Sequence, residues 1–227
     1  LSLFQHFSSE EIGPDPEPIA GARLGGPDHG GLISAMTMPA HSRTQQGKVS
    51  RSARVVYRST SGDTGELTEV SGSVFVPKGR PPAGGWPVIS YAHGTTGIAD
   101  KCAPSRNRAN GPATPYISYT DGILNSWLKA GYAIARTDYQ GLGTPGVHPF
   151  LIGKAEGRTQ GGGAALCAAG DAASYSPSLK LRGTVAYAPA SHMKLQASFL
   201  PNLTQPSSLT ALASLIVAGA LAVDSDI

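Results

Sequence analysis

The stretch GRTQG at residues 157–161, followed by GGAAL at residues 162–166, decides the interpretation of the rest of the chain. Its spacing is that of a nucleophile elbow, G-x-S-x-G, with threonine at the central position. Glycines flank such an elbow because its central residue lies on a tight strand-to-helix turn, where larger side chains clash with the backbone. The turn exposes one hydroxyl, here that of Thr159, and directs the next N–H, that of Gln160, toward a developing oxyanion. The stretch predicts acyl-transfer chemistry.

The composition around this stretch is that of a globular domain. The chain has 227 residues, of which 40% are hydrophobic and 15% charged, enough for one sizeable core with room for an appended subdomain. Its net charge is +3, with no basic cluster denser than residues 106–108, so nucleic acid is not an expected partner. The sequence contains no C-x-x-C or H-E-x-x-H spacing, and we expect no metal or other cofactor.

The apolar segments indicate no integral membrane segment. The longest apolar run, residues 209–223, is 15 residues long and includes Thr210 and Ser214. This is shorter than the roughly 20 residues that span a bilayer, so we predict a core or lid helix there. Residues 1–4 carry no basic region and no long apolar stretch, as in a cytosolic protein or one whose signal has been removed.

The remaining pattern alternates strands with helices. Residues 1–50, rich in Gly, Pro and His, are interpreted as an irregular arm. The predicted strands are residues 54–58 and 69–76, an antiparallel edge pair joined by a turn at 61–65, and residues 87–92, 132–137 and 183–188. The predicted helices are residues 121–130, ending at Gly131, residues 163–174 and the stretch after Pro201. This order predicts an α/β fold with a mostly parallel sheet.

In such sheets ligands bind beyond the carboxyl ends of the strands. The motifs HGT at residues 93–95 and DYQG at 138–141 follow predicted strands, and Thr159 and His192 also follow predicted strand ends or turns. Their common position favours an enzyme more than any single motif does.

Several of these motifs together resemble a known family. They are YAHGTTG at residues 91–97 with CAPS at 102–105, TDYQGLGTPG at 137–146 with HPF at 148–150, and QGG at 160–162. In these segments the chain resembles the secretory lipase family of α/β-hydrolases, which includes the fungal lipase A type and its bacterial relatives. The resemblance covers roughly residues 50–225.

The resemblance implies a secreted serine esterase that cleaves acylglycerols or similar lipid esters through an acyl-enzyme. It assigns the nucleophile to Thr159 and the oxyanion N–H groups to Gln160 and Thr95. Gly94 and Tyr139 are assigned to substrate binding. For Tyr139 and its neighbour Asp138, loop scaffolding by hydrogen bonds is expected, with substrate contact as the alternative.

The resemblance also divides the chain. It implies an arm over residues 1–50, an incomplete α/β-hydrolase core over 51–191, and the beginning of a helical cap over 192–227, which would contact a lipid interface. Cys102 is expected to pair with a cap cysteine, or alternatively with Cys167, a thiol in a buried helix. For His93 we expect either an orienting hydrogen bond beneath the oxyanion loop or a purely structural role.

Three departures from the family pattern leave an alternative open. The methyl group of Thr159 crowds the elbow. Only 11 residues separate Gly146 from Arg158, too few for a crossover helix and a strand, so the elbow spacing would alternatively arise where a piece of chain is missing before Thr159. After Thr159 the only histidine is His192 and the only acid between them is Asp171. The alternative is a catalytically silent hydrolase-like protein that binds a hydrophobic ligand or partner.

Overall fold

The fold is known from a computed structural model. It describes residues 25, 28, 30–38, 49–107, 111, 114–151, 162–178, 180–187, 198, 200–202, 204–224 and 226. Five strands occur in this part of the chain: β1 (Leu32–Thr37), β2 (Val49–Thr60), β3 (Leu67–Pro77), β4 (Val88–Tyr91) and β5 (Ala133–Thr137). The helices are α1 (Thr114–Ile117), α2 (Asp121–Lys129), α3 (Gly162–Tyr175) and α4 (Ser208–Leu221), with short 3-10 turns between them.

The sheet is mixed, with strand order β1-β2-β3-β5-β4. The pairs β1–β2, β2–β3 and β3–β5 are antiparallel, and β4–β5 is parallel. The predicted α/β class is therefore confirmed, whereas the expected mostly parallel sheet is corrected to a mixed one over the described residues. The reason is that an antiparallel meander, β1 to β3, precedes the single parallel pair.

Two sequence-based expectations about individual strands are wrong. The arm predicted to be irregular contains β1, which pairs along β2 from Leu32 opposite Tyr57 to Thr37 opposite Ala53. Conversely, residues 183–186 form no strand, although their sequence alternates as a strand does. A strand needs a neighbour to bond its backbone, and the pattern of side chains alone does not supply one.

The β2–β3 hairpin confirms the predicted antiparallel pair. Thr60 lies opposite Leu67, and the Ser61 N–H donates to the Glu66 carbonyl at 2.7 Å. Gly65 has φ of 76°, a left-handed conformation that favours glycine and lets the turn close in few residues. Because β1 covers the outer side of β2, the pair is not at the edge of the sheet.

Helix α2 packs its apolar side on the sheet and forms the main core. Its spacing of apolar residues buries Leu124 and Leu128, and Gly131 ends the helix with φ of 85°, as the sequence predicts. These leucines pack with residues from the sheet and its flank, namely Met38, Phe75 and Ile134. Truncating such a buried leucine to alanine costs about 2–5 kcal/mol.

A second apolar cluster lies under the loops that follow β4 and β5. Its buried members are Ala103, Tyr139 and Leu142, with Ala92 packed against them. It fixes these loops relative to each other and so positions the candidate site. Within the described stretches of chain, no helix is both long and apolar enough to cross a membrane.

Candidate active site

The candidate site is the rim where β4 and β5 end. The two strands are parallel and in register, with Tyr91 opposite Arg136, so their carboxyl ends meet at one edge of the sheet. The segment of His93, Gly94 and Thr95 follows β4, and that of Asp138 and Tyr139 follows β5. The structure thus brings together two of the motifs that the sequence places after strands, in the position where open α/β sheets bind ligands.

His93 is buried at this rim and holds the loop that contains it. Its Nδ1 lies 2.6 Å from the Gly94 carbonyl oxygen. A carbonyl only accepts, so Nδ1 carries the hydrogen. Burial lowers the pKa of His93 to about 3, against the opposing effect of the Gly94 carbonyl. The imidazole is therefore neutral near pH 7, and the orienting hydrogen bond expected for His93 is present.

This hydrogen bond fixes the direction of the Thr95 N–H. The Gly94 carbonyl and the Thr95 N–H belong to one peptide unit, and in a trans peptide they point in opposite directions. Because the carbonyl faces the His93 ring, the N–H faces away from it. Gly94 and Thr95 are both exposed, so this peptide unit lies at the surface of the rim.

Tyr139 packs directly beneath the same loop. Its ring stacks on the His93 ring with centroids 4.2 Å apart and an interplanar angle of 21°. Its hydroxyl donates to the His93 carbonyl oxygen at 2.5 Å. These contacts are those of the loop scaffolding expected for Tyr139, while direct substrate contact by Tyr139 stays a prediction.

Asp138 ties three segments together below the rim. Its carboxylate accepts from the Ser71 hydroxyl on β3 and from the Ser105 N–H, each at 2.7 Å. Burial raises the pKa of Asp138, although these hydrogen bonds and the charge of Arg136 act in the opposite direction. The scaffolding predicted for Asp138 is thus what its contacts provide.

Three arginines support the rim, and none of them belongs to the motifs singled out from the sequence. Arg136 is buried at the end of β5, with its guanidinium 5.4 Å above the Phe75 ring and 3.4 Å from the Pro104 carbonyl. Arg54 and Arg106 both donate to the Gly143 carbonyl, at 3.3 and 3.0 Å. A signal was present for Arg136, because it is the one charge inside the apolar stretch YAIART at residues 132–137.

The loop GLGTPG at residues 141–146 folds back tightly on the segment that follows it. A Cβ on Gly141, whose φ is 71°, would lie 2.6 Å from the His148 nitrogen. The His148 ring donates from Nδ1 to the Gln140 carbonyl at 2.8 Å and lies 6.2 Å from the Tyr139 ring. Burial lowers the pKa of His148, so this ring is also neutral near pH 7.

The other predicted site residues have different outcomes. Thr159, Gln160 and His192 lie outside the described residues. Cys102 and Cys167 are half-buried and form no disulfide with each other; pairing of Cys102 with a cap cysteine stays a prediction. Over the described ranges, no group of three or more His, Cys, Asp or Glu side chains is placed to hold a metal ion.

A cavity of about 310 Å³ lies elsewhere, between the end of α3 and strand β2. Its lining includes Tyr57, Ser59 and Tyr175 and none of the predicted site residues. We place the candidate site at the rim instead, because the exposed residues Gly94 and Thr95 there share a peptide unit whose direction His93 fixes.

No protein-family model and no curated protein matches the chain. Among solved structures it is similar to Candida antarctica lipase A, with a TM-score of 0.69 and 19% identity over 88% of this chain and 50% of that one. The same lipase in its closed state gives a TM-score of 0.56 and 20% identity over 67% and 40%. A candidate hydrolase of Legionella pneumophila gives a TM-score of 0.58 and 20% identity over 86% of this chain and 61% of that one.

The chain thus spans about half the length of the solved structures it matches. Identities near 20% establish the fold and not the activity. Together with the mixed sheet and its parallel β4–β5 pair, they show that the described chain has a lipase-like α/β-hydrolase fold.

Proposed function

We propose that this chain is a carboxylic ester hydrolase that acts on acylglycerols or similar lipid esters through an acyl-enzyme. The observation that carries the proposal is the oriented peptide between Gly94 and Thr95, whose N–H faces away from the buried His93 ring at an exposed rim. A preorganised backbone donor at a strand end is the central part of an oxyanion-binding site in acyl transfer. The lipase-like fold supports this interpretation.

The proposed chemistry begins with attack of the Thr159 hydroxyl oxygen on the ester carbonyl carbon. The tetrahedral oxyanion accepts hydrogen bonds from the N–H groups of Thr95 and Gln160. The proton of the hydroxyl passes to a base and then to the leaving alcohol, and water releases the acid from the acyl-enzyme. His93 is not this base, since its ring is buried and its Nδ1–H is donated to Gly94.

Secretion and contact with a lipid interface complete the proposal. Helix α4, in the proposed cap, exposes Val217 and Leu221. Exposed aliphatic side chains on a cap helix are suited to contact an aggregated lipid substrate. We propose this contact for α4 without a membrane-spanning segment.

The first test measures hydrolysis of a chromogenic short-chain ester by the wild-type chain and by Thr159→Ala and Thr159→Ser. We expect Thr159→Ala to lower kcat by more than about 10³-fold, because removal of a nucleophile leaves only binding and oxyanion contacts. Thr159→Ser is expected to raise kcat, since it removes the methyl group that crowds the elbow. Absence of wild-type turnover with retained fatty-acid binding would instead support the catalytically silent alternative.

The second test removes the Thr95 N–H. Thr95→Pro deletes this donor, whereas Thr95→Ala keeps it and is the matched control. We expect kcat to fall about 10²–10³-fold in the proline variant and less than about three-fold in the alanine variant. Melting temperatures of both variants check that the substitutions in this exposed loop leave the fold intact. Equal activities of the two variants would remove Thr95 from the oxyanion site.

A further inference from the structure

Tyr139 has an unusual backbone conformation beside the candidate site. Its φ is 81°, and among the described non-glycine residues only Leu151 shares a positive φ. This region is disfavoured for a bulky side chain by about 1–3 kcal/mol and persists where surrounding contacts enforce it. The Tyr139 N–H donates to the Thr137 hydroxyl at 3.1 Å, which fixes the start of the turn. The conformation places the aromatic ring under the loop that follows β4.

The Tyr139 side chain contacts His93 in two ways at once. The stacked rings, 4.2 Å apart, restrict rotation of the His93 imidazole, and the hydroxyl holds the His93 carbonyl. The imidazole in turn holds the Gly94 carbonyl through Nδ1. Two successive peptide units are therefore held by their carbonyl oxygens, the first by Tyr139 and the second by His93.

Gly94 makes this double restraint necessary. Glycine rotates freely about both backbone dihedrals, and Gly94 is exposed. A Cβ placed there would meet only the Tyr119 hydroxyl, at 3.3 Å, so packing alone does not prevent rotation of the peptide. If the peptide between Gly94 and Thr95 rotated, the Thr95 N–H would turn inward and the Gly94 carbonyl would face the ligand.

Burial separates this role from direct contact with a substrate. Tyr139 is 4% exposed, in a cluster with Ala103 and Leu142. Its hydroxyl is directed at the main chain of His93. The ring thus acts on the rim through His93 and offers little surface of its own.

We propose that Tyr139 is a positioning residue: through the ring and carbonyl of His93 it keeps the Thr95 N–H aimed outward as an oxyanion donor. The proposal rests on the ester-hydrolase function proposed above. It gives the substrate-contact residue predicted from the sequence a different role, in which Tyr139 affects the transition state and not the binding of the ester.

Kinetics of Tyr139→Phe test this role, because the variant keeps the stacked ring and removes only the hydroxyl. We expect kcat for a chromogenic ester to fall about ten-fold with KM changed less than two-fold, a part of the 10²–10³-fold loss that follows deletion of a whole oxyanion donor. Tyr175→Phe is the matched control. Its hydroxyl bonds to the Ser59 hydroxyl and the Thr60 N–H at 3.2 Å each, so the same atom is lost without contact to residues 93–95 or to Tyr139. An equal kcat in the two variants would overturn the proposal.

A second measurement tests the positioning independently of turnover. Amide hydrogen exchange and NMR line shape of Gly94 and Thr95 are compared in the wild type, Tyr139→Phe and Tyr175→Phe. We expect faster exchange or broadening at these two amides in Tyr139→Phe only. If the wild type hydrolyses no ester, the proposed function fails and these amides alone decide whether Tyr139 holds the loop. Unchanged amides together with an active enzyme would refute the positioning role and leave the function standing.

Discussion

The loops that follow β4 and β5 and the segment that follows α3 both consist of irregular backbone, but they are held differently. In the first region, the buried side chains of His93 and Asp138 bond to loop main chain, at Gly94 and Ser105 respectively. In the second, residues 180–187, Val185 and Tyr187 are 71% and 72% exposed. Buried polar groups with partners therefore define an irregular loop, whereas an alternating apolar sequence without a neighbouring strand does not form a strand.

The sequence gives a physical reason for the second region. β4 is the last strand of the described sheet and pairs there with β5. The 11 residues between Gly146 and Arg158 are fewer than a crossover helix of roughly 10–12 residues and a strand of about 5 require together. Over the described residues, no strand pairs with the free edge of β4, and residues 183–186 have no strand partner.

The largest effect is expected at Asp138, where the first region is most interconnected. Asp138→Ala removes the acceptor of two buried donors and the carboxylate that favours the charge of Arg136 most strongly, so we expect a loss of about 3–5 kcal/mol in the free energy of unfolding. Chemical denaturation measures this loss.

Asp138→Asn separates hydrogen bonding from charge at the same position. Its amide oxygen still accepts from the Ser105 N–H, and its NH₂ group can donate to the Ser71 hydroxyl, which also lies 3.1 Å from the Leu142 carbonyl. We expect a smaller loss than in Asp138→Ala. Losses below about 1 kcal/mol in both variants would show that the rim does not depend on this carboxylate.

The next effect concerns the pH dependence contributed by His93. Its pKa falls from 6.5 to about 3 on burial, so between these values the unfolded chain holds a proton that the folded chain lacks. Stability is therefore lost as pH falls from 6.5 toward 3, by at most about 1.4 kcal/mol per pH unit. His93→Gln keeps a donor for Gly94 and removes this titration.

Denaturation curves of the wild type and His93→Gln between pH 7 and pH 4 measure the difference. His148, whose pKa burial also lowers, and Asp121, whose pKa burial raises to about 6, are present in both proteins and cancel in the comparison. We expect the wild type to lose stability more steeply. Parallel curves would mean that the ring is accessible to protons in the folded state and that the rim is less closed than its burial indicates.

The sequence predicts helix α2, the β2–β3 hairpin and the position of the rim motifs correctly and fails for residues 183–186, and the reasons are specific. The apolar spacing of α2, its ending at Gly131 and the hairpin of β2 with β3 are local signals, and each is confirmed. The adjacency of the motifs at residues 93–95 and 138–141 follows from the rule that parallel strands end at one edge. Tertiary contacts determine the left-handed conformation of Tyr139 and the burial of Arg136. Their local sequence signals are therefore weaker than those of α2 and the hairpin.

The errors also have particular causes. β1 lies in a stretch rich in glycine and proline, and its six residues form a strand because β2 provides a long partner. Residues 183–186 carry the opposite combination, a strand-like sequence with no partner strand in the described sheet. In both cases the neighbouring backbone, which is set by the tertiary fold, decides the outcome.

The smallest effect is expected at the attachment of α3. The Tyr175 hydroxyl, at the end of this helix, bonds to the Ser59 hydroxyl and the Thr60 N–H at 3.2 Å each. Tyr175→Phe removes this attachment, and we expect a loss of about 1 kcal/mol in the free energy of unfolding, as for one or two partly buried hydrogen bonds. Tyr187→Phe, an exposed tyrosine in residues 180–187, is the control and should change stability by less than about 0.5 kcal/mol. The contrary outcome is that Tyr187→Phe destabilises the protein as much as Tyr175→Phe does. Residues 180–187 would then be held by side-chain contacts of their own, which contradicts the difference between the two regions.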